Sequence, residues 1–388
     1  MSIPAHPASP SPVRLALSGR TGFAAHYAAV AAIGALYLLY GLDAYGVLNN
    51  NEALYAEMAR EMLESGSFGV PTLNGVPYLE KPPLLAWLTA AVSAAFGSSE
   101  VALRSVPVAA TAFLIAAMAR FAALRVRSAV GWLAGLILAS SFVQLVVQRT
   151  LIPDVLLALF FSLAMGAFYE WHRTGQRTAL QVAYAALGFA VLAKGFVALA
   201  LGGLVFVTFG AFAQRTWRIR DLAAAPALAV LVPMVVAWPV WLAIKNPKYA
   251  WFFVVNEHVL RFLGMREPHD YYSGPLYYYL PRILMSLFPW SAFIPLLIAR
   301  FRQRGIAMPD IEKLAWIWFG ACLLFFSASE AKGNYYMTVA MPPLAFLLAL
   351  RIAELVERSE RAIFTGVTLF VAGAVAVSAW AIEVRMGM

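Results

Sequence analysis

"VALRSVPVAATAFLIAAMARFAALRVR", residues 101–127, is the stretch whose reading decides the fold. From 103 to 121 it is a run of mostly apolar positions, long enough for a helix to cross the hydrocarbon core of a bilayer. It gives way to Arg120, Arg125 and Arg127. Apolar runs of this length recur down the chain, with arginines in the short segments between them. Only 13% of the 388 residues are charged, where a soluble domain has roughly a quarter. A closed β-barrel is the other way to span a membrane. It needs alternating ten-residue strands, and none are visible. The chain therefore reads as an all-α polytopic membrane protein.

About eleven spans are expected, near 25–45, 103–121, 129–147, 154–171, 179–193, 195–213, 223–244, 281–300, 312–328, 335–351 and 362–382. Lys194-Gly195 separates the fifth from the sixth. Alternate connections hold the arginines: Arg120, Arg125 and Arg127; Arg173 and Arg177; Arg215, Arg218 and Arg220; Arg300, Arg302 and Arg304; Arg351, Arg358 and Arg361. The positive-inside rule makes that side cytoplasmic, with the N-terminus, and sets the C-terminus outside. Topology thus accounts for the net charge of +9, and nucleic acid is not an expected partner. The lone Cys322 excludes an internal disulfide. Residues 1–22 read as a disordered cytoplasmic N-terminus, 23–388 as a single transmembrane domain, and the apolar stretch after the N-terminus as a retained anchor.

The other side holds the two longest connections, 46–102 and 245–280. No Gly-rich phosphate loop and no Walker or Rossmann fingerprint occurs in the cytoplasmic connections, so no nucleotide cofactor is expected. Chemistry, if present, belongs to the outer face, where an activated substrate must arrive attached to a lipid.

Five outer segments carry the candidate residues. In "NNNEALYAEMARE" (49–61) the asparagines are helix caps, and Glu52 follows Asn49 by three in a loose capping box. Leu54, Met58 and Met62 on one face, with Glu57, Arg60, Glu61 and Glu64 on the other, describe an amphipathic helix on the membrane surface, stopped by Gly66. Glu52 is its cap, or an acid held at the mouth of a reaction site. In "LNGVPYLEKPPLLAWL" (73–88), Asn74-Gly75 marks a turn and Pro82-Pro83 starts a short helix. Glu80 and Lys81 are an interfacial pair with a snorkelling lysine. Alternatively Lys81 binds a lipid phosphate and Glu80 a metal or substrate. "QRTLIPDVLLALF" (148–160) sets Arg149 and Asp154 at the head of the fourth span, where an acid caps the helix or serves catalysis. "NEHVLRFLGMREPHDYYSGPLYYYLPR" (256–282) gathers Glu257, His258, Arg261, Arg266, His269, Asp270 and five tyrosines. Tyrosines anchor at interfaces, and Arg261, Arg266 and Arg282 form a cationic group suited to phosphate or pyrophosphate. Two loosely spaced histidines do not by themselves make a metal site. "SASEAKGNYYMTVAMPPLAFLLAL" (327–350) carries Lys332 and Tyr336 between spans nine and ten.

Taken in order, "NEALYAEMAREML", "LNGVPYLEKPPLLAWL", "QRTLIPD", "LAKG", "EHVLRF", "PLYYY", "PW" at 289–290 and "KGNYYMTVAMPPLA" resemble the polyprenyl-phosphate-sugar glycosyltransferases of the bacterial aminoarabinose transferase type. That family is related to protein O-mannosyltransferases and has the GT-C fold. The resemblance runs along nearly the whole chain. It implies a GT-C transmembrane domain with amphipathic juxtamembrane helices in the first outer loop and a catalytic face built from 46–102 and 245–280. It implies catalytic roles for Glu52, Asp154 and Asn51, the last standing where the family has Asp. Lipid-phosphate contacts are implied for Lys81, Arg261, Lys332, Tyr336 and Arg149, and a divalent metal for Glu80 and His258. Val339 stands where the family often has Pro. The family tends to carry a C-terminal soluble domain, and none is expected here.

The resemblance further implies transfer, with inversion, of a sugar from undecaprenyl phosphate to a lipid A-like glycolipid or protein acceptor at the periplasmic face of a bacterial inner membrane. Two other classes are weighed against this. A lipid or solute transporter should carry charges at mid-membrane, whereas the charges here gather in outer loops. A catalytically impaired relative acting as a scaffold is compatible with Asn51.

Overall fold

A computed structural model describes residues 42–43, 46–47, 50–147, 149–213, 219–223, 225–269 and 273–357. All lie in one unit that begins at Gly41. The expected first and last spans, the 1–22 segment, and Asn49, Arg215, Arg218, Asp270, Arg358 and Arg361 fall outside these residues.

The first outer segment folds as its pattern requires. Helix α1, Asn50–Ser65, buries Tyr55, Met58, Ala59 and Met62 at helical spacing. That face packs on α2, Leu84–Phe96, which starts directly after Pro83. On the far side Arg60 bridges Glu57 and Glu64. Gly66 ends α1 at φ 66°, a conformation open to glycine because it lacks Cβ. Between the helices, β1 (Thr72–Leu73) and β2 (Val76–Pro77) form a small antiparallel hairpin. Asn74 and Gly75 make its turn, both at positive φ (52° and 74°), which matches the twist of paired strands. Glu61 secures the turn, accepting from the Thr72 hydroxyl and, at 3.2 Å, from the Gly75 N–H.

The bundle follows: α3 (Glu100–Arg125), α4 (Ser128–Ser140), α5 (Phe142–Val147), α6 (Pro153–Thr174), α7 (Arg177–Lys194), α8 (Val197–Phe212), α9 (Ala225–Lys245), α10 (Tyr279–Leu287), α11 (Ile294–Arg304), α12 (Asp310–Ala328) and α13 (Met341–Glu357). Among the described residues five helices are long and apolar enough to cross a membrane: α3, α6, α9, α12 and the run Tyr336–Val356 that contains α13. Helix α6 lies deep in the core, packed along α7 and against α3.

Two expected spans are not continuous helices. The third divides at Ser141 into α4 and α5. The eighth bends by 111° between Leu287 and Trp290, because Pro289 has no N–H to continue a helix. The two breaks satisfy each other. The Phe142 N–H donates to the Phe288 carbonyl at 2.9 Å, and Trp290 Nε1 donates to Ser140 Oγ at 2.8 Å. Backbone groups freed by one break would be costly inside an apolar bundle, and here they meet those of the other. The separation of α7 from α8 at Lys194-Gly195 stands as expected, with Gly195 at φ 85°.

Candidate functional site

Two helices bring opposite charges together at one end of the bundle. Asp154 lies in the first turn of α6, after Pro153, and Lys194 in the last turn of α7. Each stands at the helix end whose dipole favours its charge. They form a buried ion pair. The Lys194 ammonium also sits over the Tyr336 ring, 4.2 Å from its centroid, in cation–π contact. Tyr336 is pressed against Gly333, where an added Cβ would lie 2.4 Å from the ring.

The second outer segment supplies the rest. After α9 the chain runs through the short helix Pro247–Trp251 into a π-helical segment, Phe252–Leu260. Its wide turns bond at i→i+5, as where the Arg261 N–H returns to the Asn256 carbonyl. The segment then docks on the α12–α13 connection. The Glu330 N–H donates to the Phe262 carbonyl at 3.1 Å, and Ser273 pairs with Ala331.

Glu257 is the hub. Its side chain is 2% exposed and takes three cations. Lys81 Nζ approaches Oε1 at 2.6 Å, Arg261 meets the same oxygen, and Arg266 Nε approaches Oε2 at 2.8 Å. Arg266 also donates to Glu80 at 2.7 Å, and Lys81 to the Glu80 carbonyl at 3.0 Å. Burial pushes the Glu257 carboxyl up, but Lys81, Arg261 and Arg266 outweigh it and hold the group at about 2. Lys81 and Arg261 keep 17% and 19% of their side chains exposed, so neither is wholly closed off from the surface. Arg261 and Arg266 line a small pocket with His269, Ser273 and Glu330. Tyr78 joins the group through its hydroxyl, 3.5 Å from a Glu80 carboxylate oxygen, with Tyr55 of α1 beside it. Burial first, then the negative Asp154, Glu80 and Glu257, push the Tyr55 phenol well up, so it stays a proton donor.

The structure thus gathers Glu80, Lys81, Asp154, Arg261, Arg266 and Tyr336 from segments far apart in sequence, and adds Lys194, Glu257, Tyr55 and Tyr78. Other expected residues are engaged elsewhere. Glu52 is 2% exposed and pairs through both oxygens with Arg104, at 3.0 Å each. Arg104 is itself 1% exposed and also donates to the Gly46 carbonyl at 3.0 Å. Asn51 is exposed at the start of α1. Arg149 lies half-buried in the turn before α6. Lys332 does not offer its charge to a ligand: its three N–H groups meet the carbonyls of Phe326 (3.1 Å), Ser327 (2.7 Å) and Ser329 (2.5 Å), capping the end of α12. Arg282 departs from the expected cationic group. It stacks on the Tyr278 ring at 3.4 Å and donates to Asn334 at 3.2 Å.

A metal at Glu80 and His258 does not fit this arrangement. His258 Nε2 accepts the Phe196 N–H at 3.0 Å, which leaves the proton on Nδ1, donated to the Phe253 carbonyl at 2.6 Å. Neither nitrogen keeps a lone pair for a cation. Burial holds the ring neutral, pushing it down to about 4. Among the described residues no three His, Cys, Asp or Glu side chains converge as a ligand set.

Arg104 was the residue sequence reading missed most plainly. An arginine inside the apolar run of α3 is a signal that a buried acid awaits it.

The family model of the dolichyl-phosphate-mannose-protein mannosyltransferases matches residues 35–256, more than half of the chain, and the chain belongs to that family. It is 32% identical, over 322 residues, to the undecaprenyl phosphate-alpha-4-amino-4-deoxy-L-arabinose arabinosyl transferase 1 of Proteus mirabilis (strain HI4320). The match takes in 81% of this chain and 57% of that protein, so the chain spans under two thirds of such relatives' length. The crystal structure of ArnT from Cupriavidus metallidurans bound to undecaprenyl phosphate superposes with a TM-score of 0.81 at 26% identity, covering 94% of this chain and 66% of that one. The oligosaccharyltransferase AglB of Archaeoglobus fulgidus shares the fold, with a TM-score of 0.53 at 15% identity over 93% of this chain and 55% of that one. The fold is the GT-C membrane fold.

Proposed function

We propose that the protein is an integral-membrane glycosyltransferase that moves a sugar from undecaprenyl phosphate to a lipid A-like glycolipid. The observation that carries this reading is the pair Lys81 and Arg261. They are two part-exposed cations, held together at the head of an apolar bundle, in a chain similar to an arabinosyl transferase and to an ArnT bound to undecaprenyl phosphate. The acceptor oxygen attacks the anomeric carbon from the face opposite the lipid phosphate. The new C–O bond forms as the sugar–phosphate bond breaks, with inversion, and the phosphate leaves with the electron pair. Lys81 and Arg261 neutralise charge growing on it; preorganised donors of this kind contribute about 3–4 kcal/mol each. Lys194 and Asp154 border the same region.

A hydroxyl acceptor would need a base. Glu52 is tied to Arg104 and Asp154 to Lys194, so either acid must break a buried ion pair to take a proton. A phosphate acceptor, already ionised, needs none, which favours a phosphorylated glycolipid. The reading sets the site on the periplasmic face of a bacterial inner membrane, with the N-terminus in the cytoplasm. It names no metal.

The test is transfer by the purified protein in detergent, given undecaprenyl phosphate–aminoarabinose with phosphorylated or dephosphorylated lipid A, with products read by mass spectrometry. Transfer to the phosphorylated acceptor alone is expected; absence of any transfer sinks the reading. Asn51 and the engaged Glu52 favour a second reading, a relative that binds the lipid phosphate without turning it over. It predicts saturable binding and no product.

A further inference from the structure

The Glu257 carboxylate is the only acid among the described residues that meets Lys81, Arg261 and Arg266 together. Lys81 and Arg261 converge on one oxygen, Oε1, on the side where both cations are part-exposed. Arg266, 8% exposed, holds the other oxygen from the buried side. Of the three N–H groups on Lys81, the described contacts use two. An anion that reaches Lys81 and Arg261 must therefore come against Glu257 Oε1 or push it aside.

Resting on the glycosyltransferase reading, we infer that Glu257 is a positioning residue that stands in for the lipid phosphate. In the empty site it holds Lys81 and Arg261 side by side, and it gives up its share of their charge when the phosphate arrives. Its negative charge keeps the two part-exposed cations from gripping the product too tightly. Like charges brought together without an intervening cation repel, so the carboxylate lowers phosphate affinity while it preserves the geometry. A purely structural carboxylate would do the opposite, because its loss would scatter the cations and weaken binding. The sign of the effect separates the two.

The experiment titrates undecaprenyl phosphate into the full-length protein in detergent, with undecaprenol as the headgroup-free control. Wild type and Glu257→Gln are compared, and thermal unfolding is followed with and without the lipid. Glu257→Gln is expected to lower Tm without ligand, to bind the phosphate about tenfold tighter or more, and to gain more Tm than wild type when the lipid is added. Turnover should slow as product release becomes limiting. If the Gln variant does not fold, Glu257→Asp, one methylene shorter and drawn back from Oε1, takes its place and is expected to bind tighter as well. A folded variant that binds equally or more weakly overturns the inference and leaves the glycosyltransferase reading standing. Failure of the wild type to prefer undecaprenyl phosphate over undecaprenol sinks both.

Discussion

The bundle carries two buried charge clusters, at opposite ends of α6, and they balance differently. At one end, near Asp154, the described residues set three cations (Lys81, Arg261 and Arg266) against two carboxylates, Glu257 and Glu80, one positive charge in excess. At the other, about 27 Å along the helix, His172 meets Asp310 at 3.0 Å. There Arg300 holds Glu312 and Glu354, with Arg351 3.9 Å from Glu354 and Lys313 3.4 Å from Asp310, so among the described residues three cations face three acids. Lys313 closes that end, donating to the Phe212 carbonyl at 2.9 Å. The second cluster ties α6, α8, α11, α12 and α13 together and is balanced among the described residues. The first is built with a surplus and keeps part of it exposed. A complete cluster clamps helices; an incomplete one waits for an anion.

The largest expected effects fall on the clamps. Arg300→Met leaves the buried Glu312 without its partner and takes from the half-buried Glu354 the nearer of its two cations; removing one member of a buried pair costs about 3–5 kcal/mol. Arg104→Met does the same to Glu52. Both should lower Tm sharply in detergent. At temperatures where the variants stay folded, Arg300→Met should bind undecaprenyl phosphate as wild type does. A loss of binding in that variant would break the contrast drawn here.

Lys81→Ala and Arg261→Ala should behave the other way round. Transfer should fall about 10²–10³-fold, the typical cost of a lost preorganised donor, while Tm changes little or rises, because each removal relieves the surplus. If either variant unfolds as readily as Arg300→Met, the outer cluster is a clamp too.

Gly195→Ala should have a smaller effect. The residue holds φ 85°, and an added Cβ would lie 2.1 Å from His258 Nε2. With ψ at −159° this backbone is open essentially to glycine alone and costs another residue about 1–3 kcal/mol. The clash then pushes His258 off the Phe196 N–H and loosens the π-helical segment that presents Glu257 and Arg261. Weaker phosphate binding with only a modest fall in Tm would tie that segment to the site. Unchanged binding would detach it.

The parts legible in the sequence are those that a single stretch determines. The α1 pattern, the Asn74-Gly75 turn, the Pro82-Pro83 start and the Lys194-Gly195 break are local, and all four stand. The positions of Glu80, Lys81, Asp154 and Arg261 were readable because ionisable residues at the heads of apolar runs need a reason to be there. Their partners were not readable. Lys81 and Glu257 are separated by 176 positions, Glu52 and Arg104 by 52, Asp154 and Lys194 by 40. Nothing in either stretch names the other. The backbone partners of Lys332 and His258 are invisible in a sequence: a lysine that caps three carbonyls and one that awaits a phosphate are spelled alike. The broken eighth span carried a visible Pro289, whose local effect was outweighed in the reading by the apolar run around it.

The smallest effect expected is a pH dependence, and it tests whether His258 is structural. The ring titrates at about 4 in the fold, below its ordinary 6.5. The unfolded chain therefore binds a proton that the folded one refuses throughout that interval. Its contribution to stability is full above 6.5 and drains away as the pH falls towards 4. Glu257, depressed to about 2, stays ionised across the same window, so the cluster it anchors does not loosen there. Tm should thus decline gently between pH 6.5 and 4 while affinity for the lipid phosphate follows the protonation of the phosphate itself. His258→Gln, which accepts a hydrogen bond and does not titrate, should flatten part of the Tm slope. An unchanged slope in that variant would mean that the ring is not held neutral by the Phe196 N–H, and the lone-pair argument against a metal there would lose its footing.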